Sequence, residues 1–588
     1  MTDSTSFFSR LRQRKIVQWG AVYVAGAWLI LEIADFLGAT FAWPPFVVRA
    51  LTVIAAVGFL AALVLAWFHG EMGQQGANAV ELGMLVALLV IAAVGVAIIG
   101  PGDEATPRPD VGNAVAGATG ADDLEGIAVM PFRNLSGDPE VEFFGEGMTE
   151  EIIAHLASLD GLLVIARSSV MPFKGATPAE VARELGVAHV LEGNVQRSGD
   201  RVRVRATLVD PVSGASVWSE GYDRDLTDVF AIQSEVAQEV AAALDVRVSA
   251  DQTARMARSP TASGDAHDFY LRGRAAWNRR TGPDVATSID HFKRALELDS
   301  TYSDAWAGLA DAYVIVASYA RVSEAESFAL GLEAADRASE LDPGLAGPHI
   351  ARAMMQIGAR PAAEVEAGFL RGLSLSPGYA TGHHWYAIWL MTRGRFEEAR
   401  ASMLEAARFD PRSLVIAAEI GWPDYMAGRF EPALEALDAA RVLDPDYELT
   451  WELIWVALEL SGDLDGAATA ARRTVVLKRQ PEQVGEQLEA DLLAALAEGG
   501  PPGYWRARRF WLERLGPGAT WLTSGAQTAG VLARAGDVEA AFARLDAVAE
   551  TDPFRRFWGV EPALDPLRGD PRLEAILRRA GVDPIERR

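Results

Sequence analysis

The sequence predicts a multidomain chain in three parts: N-terminal transmembrane helices, a small α/β domain with a mixed sheet, and a C-terminal all-α solenoid of paired helices. Three observations predict this. Long apolar runs crowd the first 100 residues, strand-like and helix-like segments alternate over 124–247, and landmark residues recur every 34 positions across the second half.

A chain of 588 residues is too long for one hydrophobic core and calls for several units. Its net charge is −26. Residues 1–80 hold five basic and four acidic groups, so residues 81–588 carry −27. A body this acidic repels phosphate backbones, which argues against nucleic acid as a partner. There is no cysteine, which excludes disulfides, thiolate catalysis and cysteine–zinc sites.

The apolar runs are residues 16–37, 46–68 and 82–100. Each approaches the roughly 20 residues that a helix needs to cross a bilayer. Arg10, Arg12, Arg14 and Lys15 precede the first run and hold the N-terminus in the cytoplasm. Three crossings then place residues 101–588 in the periplasm, the expectation for a multi-pass protein of the bacterial inner membrane; two crossings, with run 16–37 lying at the interface, would leave them in the cytoplasm. Glu32 and Asp35 lie near the end of the first run, where headgroup water solvates them. Residues 1–100 form the membrane anchor in this reading. Residues 101–123, rich in Pro, Gly, Ala and Asp, read as a flexible linker.

The order β-α-β-α-β-β-β-α is expected over 124–247. Thr177-Pro178-Ala179-Glu180 is a capping box, and Gly186 closes its helix. Val202, Val204, Ala206 and Leu208 alternate with Arg201, Arg203, Arg205 and Thr207, which predicts a half-buried strand with a basic outer face.

From about Ala266 to residue 588 the pattern is helical only. Gly394, Gly428 and Gly462 lie 34 apart, as do Ala399, Ala433 and Ala467, and also Pro343, Pro377, Pro411 and Pro445. A 34-residue helix-turn-helix period is the tetratricopeptide (TPR) signature. Glycine ends the first helix of a pair, alanine lets the two helices approach, and proline stops the second. One unit cannot bury its own apolar face, so stacking is obligatory.

Two stretches carry a family resemblance. IAVMPFRNLSGDPEVEFFGEGMTEEI (127–152) and HVLEGNVQRSGDRVRVRATLVDPVSGASVWSEGYDRDLTDVFAIQ (189–233) resemble the TolB-like amino-terminal domain of bacterial signalling and envelope proteins. Residues 7–35 and 42–49 resemble the membrane module often placed ahead of it. The resemblance implies a cell-envelope protein without a defined activity. Some relatives carry a nucleotide cyclase, a kinase or a winged-helix regulator at the N-terminus; here the apolar runs begin by Ile16, so none is expected.

No constellation points to catalysis, a cofactor or a metal. Gly145-Glu146-Gly147 lacks the Gly-Lys-Ser/Thr of a phosphate loop, and Glu146, Glu150 and Glu151 would repel phosphate. His383 and His384 diverge on a helix by about 100° and cannot share one metal face. The chain is therefore expected not to be an enzyme and to need no cofactor. Its expected role is an anchored interaction scaffold or sensor, with protein partners, the bilayer along 16–100, no nucleic acid, and self-association left open.

The tetratricopeptide resemblance implies that first-helix positions line a concave groove. In register these include His384, Trp422, Tyr425, Glu452 and Glu459, with Pro423 departing from the pattern inside its helix. The alternative is a regulator or enzyme with a small anionic-ligand pocket at Arg201, Arg203 and Arg205. Arginines paired with neighbouring acids would favour the scaffold.

Overall fold

The computed structural model describes residues 125–136, 142–199, 201–225, 228–319, 323–515, 521–583 and 585. All of them belong to one compact unit, Asp110–Arg588.

The α/β part begins with β1 (Glu125–Val129), β2 (Arg133–Asn134), α1 (Glu142–Ala157) and β3 (Leu162–Val164). It continues with α2 (Arg167–Val170), α3 (Pro178–Leu185), β4 (His189–Ser198), β5 (Arg201–Val209), β6 (Ser216–Asp225) and α4 (Val229–Ala243). The sheet order is β3-β1-β4-β5-β6, with β2 beside β4. β1 runs parallel to β3 and β4, and the β4-β5-β6 meander is antiparallel, so the sheet is mixed. The period-2 pattern of β5 has its expected consequence. Val202, Val204, Ala206 and Leu208 are fully buried, while Arg201, Arg203 and Arg205 are exposed. Thr177 and Glu180 close the capping box at α3.

The rest is helical. Antiparallel pairs follow one another: Gly264–Asn278 with Gly282–Leu298, Ser303–Tyr319 with Glu324–Leu341, Ala346–Met355 with Ala362–Leu375, and Ala380–Thr392 with Phe396–Phe409. The next first helix is split into Leu414–Glu419 and Trp422–Met426, with Pro423 opening the second piece, before its partner Phe430–Leu443. Proline lacks the amide that would continue the helix through this point. Glu448–Ser461 with Leu464–Leu477 completes the regular array. Gly394, Gly428 and Gly462 take left-handed φ of +70°, +77° and +92° at the turns, a conformation glycine adopts without a Cβ penalty. Ala399, Ala433 and Ala467 are fully buried between helices. The array is a tetratricopeptide-type solenoid on this geometry alone. One hydrophobic cluster runs without interruption from Ile127 in β1 through Leu271 to Trp455.

Two expectations are corrected here. The fold class was expected to include N-terminal transmembrane helices, and the chain to be a multi-pass inner-membrane protein with a periplasmic body. No helix among the described residues is long and apolar enough to cross a membrane. The regular solenoid helices span 18 residues or fewer and are apolar mainly where neighbours cover them. Glu482–Leu515 is longer, but it kinks at Gly500 and carries charge along its length. The runs 16–37, 46–68 and 82–100, the bilayer contact assigned to 16–100, and the linker 101–123 all lie outside the described residues.

Candidate functional site

The α/β part and the segment that links it to the solenoid dock onto the loops that join successive helix pairs. Three of these loops carry the residues before the 34-spaced prolines, and in the first Asp299 precedes Ser300. Asp299 Oδ2 accepts from the Thr261 hydroxyl at 2.6 Å. Asp342 Oδ2 pairs with Arg258 at 2.9 Å. The Ser376 hydroxyl donates to the Ala157 carbonyl at 3.3 Å. Asp410 accepts from Ser168 through Oδ2 and from Ser169 through Oδ1, the latter at 2.6 Å. Backbone contacts support this last seam: Ala166 N donates to Phe409 O at 2.7 Å, and Arg412 N to Ser169 Oγ at 2.8 Å. Four consecutive loops are thus tied to residues that precede the solenoid.

Between the two parts lies a cavity of about 1530 Å³. Its walls are the C-terminal half of α1, the segment around Arg167, and the first turns of successive first helices. Charges inside it are partly matched. Glu150 receives Arg274 at 2.7 Å, Asn278 at 3.1 Å and Arg167 at 3.3 Å. Burial alone would raise this carboxyl, but Arg274 and Arg167 overcome burial and hold it below the usual range. Arg274 and Arg280 both lie over the Trp277 ring, with guanidinium carbons 4.8 and 3.7 Å from its centroid.

Glu151 is different. It comes from α1 and faces Asp304 of the solenoid. Burial, then the carboxyls of Asp304 and Glu150, push it up to about 8, against the lowering influence of Arg274 and the Tyr270 hydroxyl. Burial likewise lifts Asp304 to about 6. The sign follows directly. A carboxyl raised from 4.5 to about 8 penalises the folded state progressively as pH climbs through that window. Glu151→Gln is expected to be more stable than the parent at pH 8–9 and to lose that advantage near pH 4.5. Melting curves of both proteins across this range check it; parallel profiles would mean that Glu151 ionises as an ordinary carboxyl.

The groove positions expected from the sequence divide into two sets. His384, Trp422 and Glu452 line the cavity. His384 Nε2 donates to Glu419 at 2.8 Å, Trp422 packs on Phe557 with centroids 4.8 Å apart, and Glu452 pairs with Lys478. Tyr425 and Glu459 do not line it. The Tyr425 hydroxyl donates to Glu561 at 2.9 Å and accepts from Gln527 at 2.9 Å, which ties it to the C-terminal helices. Glu459 Oε1 accepts from Trp455, Tyr504 and Arg508, each at 2.9 Å.

Two arginines of the basic row on β5, Arg201 and Arg203, are paired with acids. Arg201 contacts Asp225 at 3.2 Å and Asp223 at 2.5 Å, and Arg203 contacts Asp223 at 2.7 Å. Arg205 lies opposite Gly221. These exposed pairs form the outer face of a strand pair rather than a pocket.

Sequence reasoning missed Glu151, Asp304, Arg274, Trp277 and Arg280. The aspartates before the spaced prolines were a usable signal, but they read only as helix stops.

Fold and cavity define a class: a helix-pair repeat protein whose concave face is shared with an α/β domain. No family model matches the chain. Over 185 residues it is 40% identical to a Rhizobium meliloti (strain 1021) protein named "Putative adenylate cyclase 3". The match covers 31% of this chain and 32% of that protein, so the chain spans about a third of this relative's length. This corrects the expectation that the chain is not an enzyme, because a protein bearing an enzyme's name shares nearly a third of it. Among solved structures the chain is similar to YrrB, described as a TPR protein with an unusual peptide-binding site. Identity there is 18% and the TM-score 0.22, over 32% of this chain and 91% of that one. It is also similar to PilW, a type IV pilus biogenesis factor, at 16% identity and TM-score 0.30, over 37% and 98%.

Proposed function

We propose that the chain is a protein-interaction scaffold that seats a segment of a partner in the cavity between its α/β part and its solenoid. The observation that carries this is the cavity itself: about 1530 Å³, walled by several successive repeats and lined by charged and aromatic side chains. The pairing of Arg201 and Arg203 with Asp223 and Asp225 favours this over an anion pocket on the sheet. The finer description of the α/β part as TolB-like rests on the residues quoted for 127–233.

Gly347 supplies the test. It lines the cavity, and a Cβ built there meets nothing within 4 Å. Gly347→Trp therefore projects a bulky ring into the cavity without forcing the backbone. Proteins recovered with the parent chain are expected to be lost with this variant while its melting temperature is kept. Equal recovery by both would place binding elsewhere.

A second reading is catalytic, and the likeness to the Rhizobium protein favours it. Incubating the purified full chain with ATP and a divalent cation tests it: cyclic AMP above the level of a heat-killed control supports this reading, and its absence removes it.

A further inference from the structure

Two of the inter-repeat loops, at Asp299 and Asp342, share one architecture. At Asp299, Oδ1 accepts the Thr301 amide of its own loop at 2.9 Å, and Oδ2 is left for Thr261. At Asp342, Oδ1 accepts the Gly344 amide at 2.9 Å, and Oδ2 is left for Arg258. The side chain thus closes a turn with one oxygen and presents the other outward. Where the position is Ser376, a donor, the chain places a carbonyl on it instead. The residue at each loop therefore sets the chemistry of what sits on it.

At Asp410 both oxygens go to serines, but the loop after it returns to the design of Asp299 and Asp342. Asp444 lies 34 residues after Asp410, and its Oδ1 accepts the Asp446 amide at 2.8 Å. Its Oδ2 receives no donor among the described residues. Asp444, Tyr447, Glu448 and Leu449 line the cavity. The docked segment ends one loop short, at Ser168 and Ser169 on Asp410.

Resting on the scaffold reading, we infer that Asp444 is the docking point for a partner peptide carrying arginine flanked by serine or threonine. These are the donors that occupy the equivalent aspartates in cis: one guanidinium and three hydroxyls. Charge agrees with this. Glu448 and Glu452 beside the loop already hold a lysine, Lys478, and a chain of net charge −26 steers basic segments toward itself.

The test uses the full chain and two fluorescent peptides, Ala-Ser-Arg-Ser-Ala and Ala-Ser-Glu-Ser-Ala. Fluorescence anisotropy is expected to show binding of the first only. Asp444→Asn keeps the oxygen that closes the turn but removes the charge, and should weaken binding at least about tenfold. Asp299→Asn, at a loop already covered, should leave it unchanged. Equal affinity for both peptides, no binding of the arginine peptide, or indifference to Asp444→Asn would each overturn the inference. Gly347→Trp separates this from failure of the scaffold reading. If that variant still loses partners that the parent recovers, the cavity binds and only the assigned chemistry is wrong.

Discussion

Arg508→Ala is expected to destabilise the folded chain by about 3–5 kcal/mol, the range for breaking a buried ion pair from one side. Arg508 is 2% exposed and donates through Nε to Glu459 at 2.9 Å. Its guanidinium also lies 4.2 Å from the centre of the Trp455 ring. Removing it leaves the Glu459 carboxylate buried with only the Trp455 and Tyr504 donors, and opens a hole beside Trp455. Chemical denaturation monitored by tryptophan fluorescence measures the loss. The pair Arg508→Met with Glu459→Gln is expected to cost clearly less, because no uncompensated charge remains. If the single and double variants lose the same amount, packing rather than charge holds this junction.

Ala433→Glu should have an effect of similar size, several kcal/mol, since it places an unpaired charge where no water reaches. Ala433 is fully buried, and its backbone already crowds the preceding first helix: a Cβ on Gly421 would come within 2.6 Å of Ala433 O. Neither side can retreat, because Gly421 sits at the break forced by Pro423. An unchanged melting temperature would show that the two helices separate freely at this point. Ala433→Ser, which adds one small polar group, should cost much less.

These two sites show how unevenly the molecule can be read from its sequence. The burial of Ala433 follows from a 34-residue period alone, because each unit repeats the same local packing problem. Glu459 was placed in the groove by the same period, yet its partners come from Tyr504 and Arg508, beyond the regular array. Tyr425 was drawn off likewise by Glu561 and Gln527. Near the irregular C-terminal helices the register predicted which face a residue takes but not what covers it.

The sequence by itself determined the paired helices, the alternation that buries Val202 and Val204 and exposes Arg201 and Arg203, and the capping box at Thr177. All of these are local patterns, set by contacts within a few residues or one repeat. Only the tertiary structure decided that the α/β part sits on the inter-repeat loops, that Glu151 faces Asp304, and that a cavity lies between. Ser169 and Asp410 are 241 residues apart. Nothing in the neighbourhood of either one reports such a contact. It depends on whether two surfaces distant in sequence match in shape, charge and hydrogen bonding, and that match exists only once both are formed.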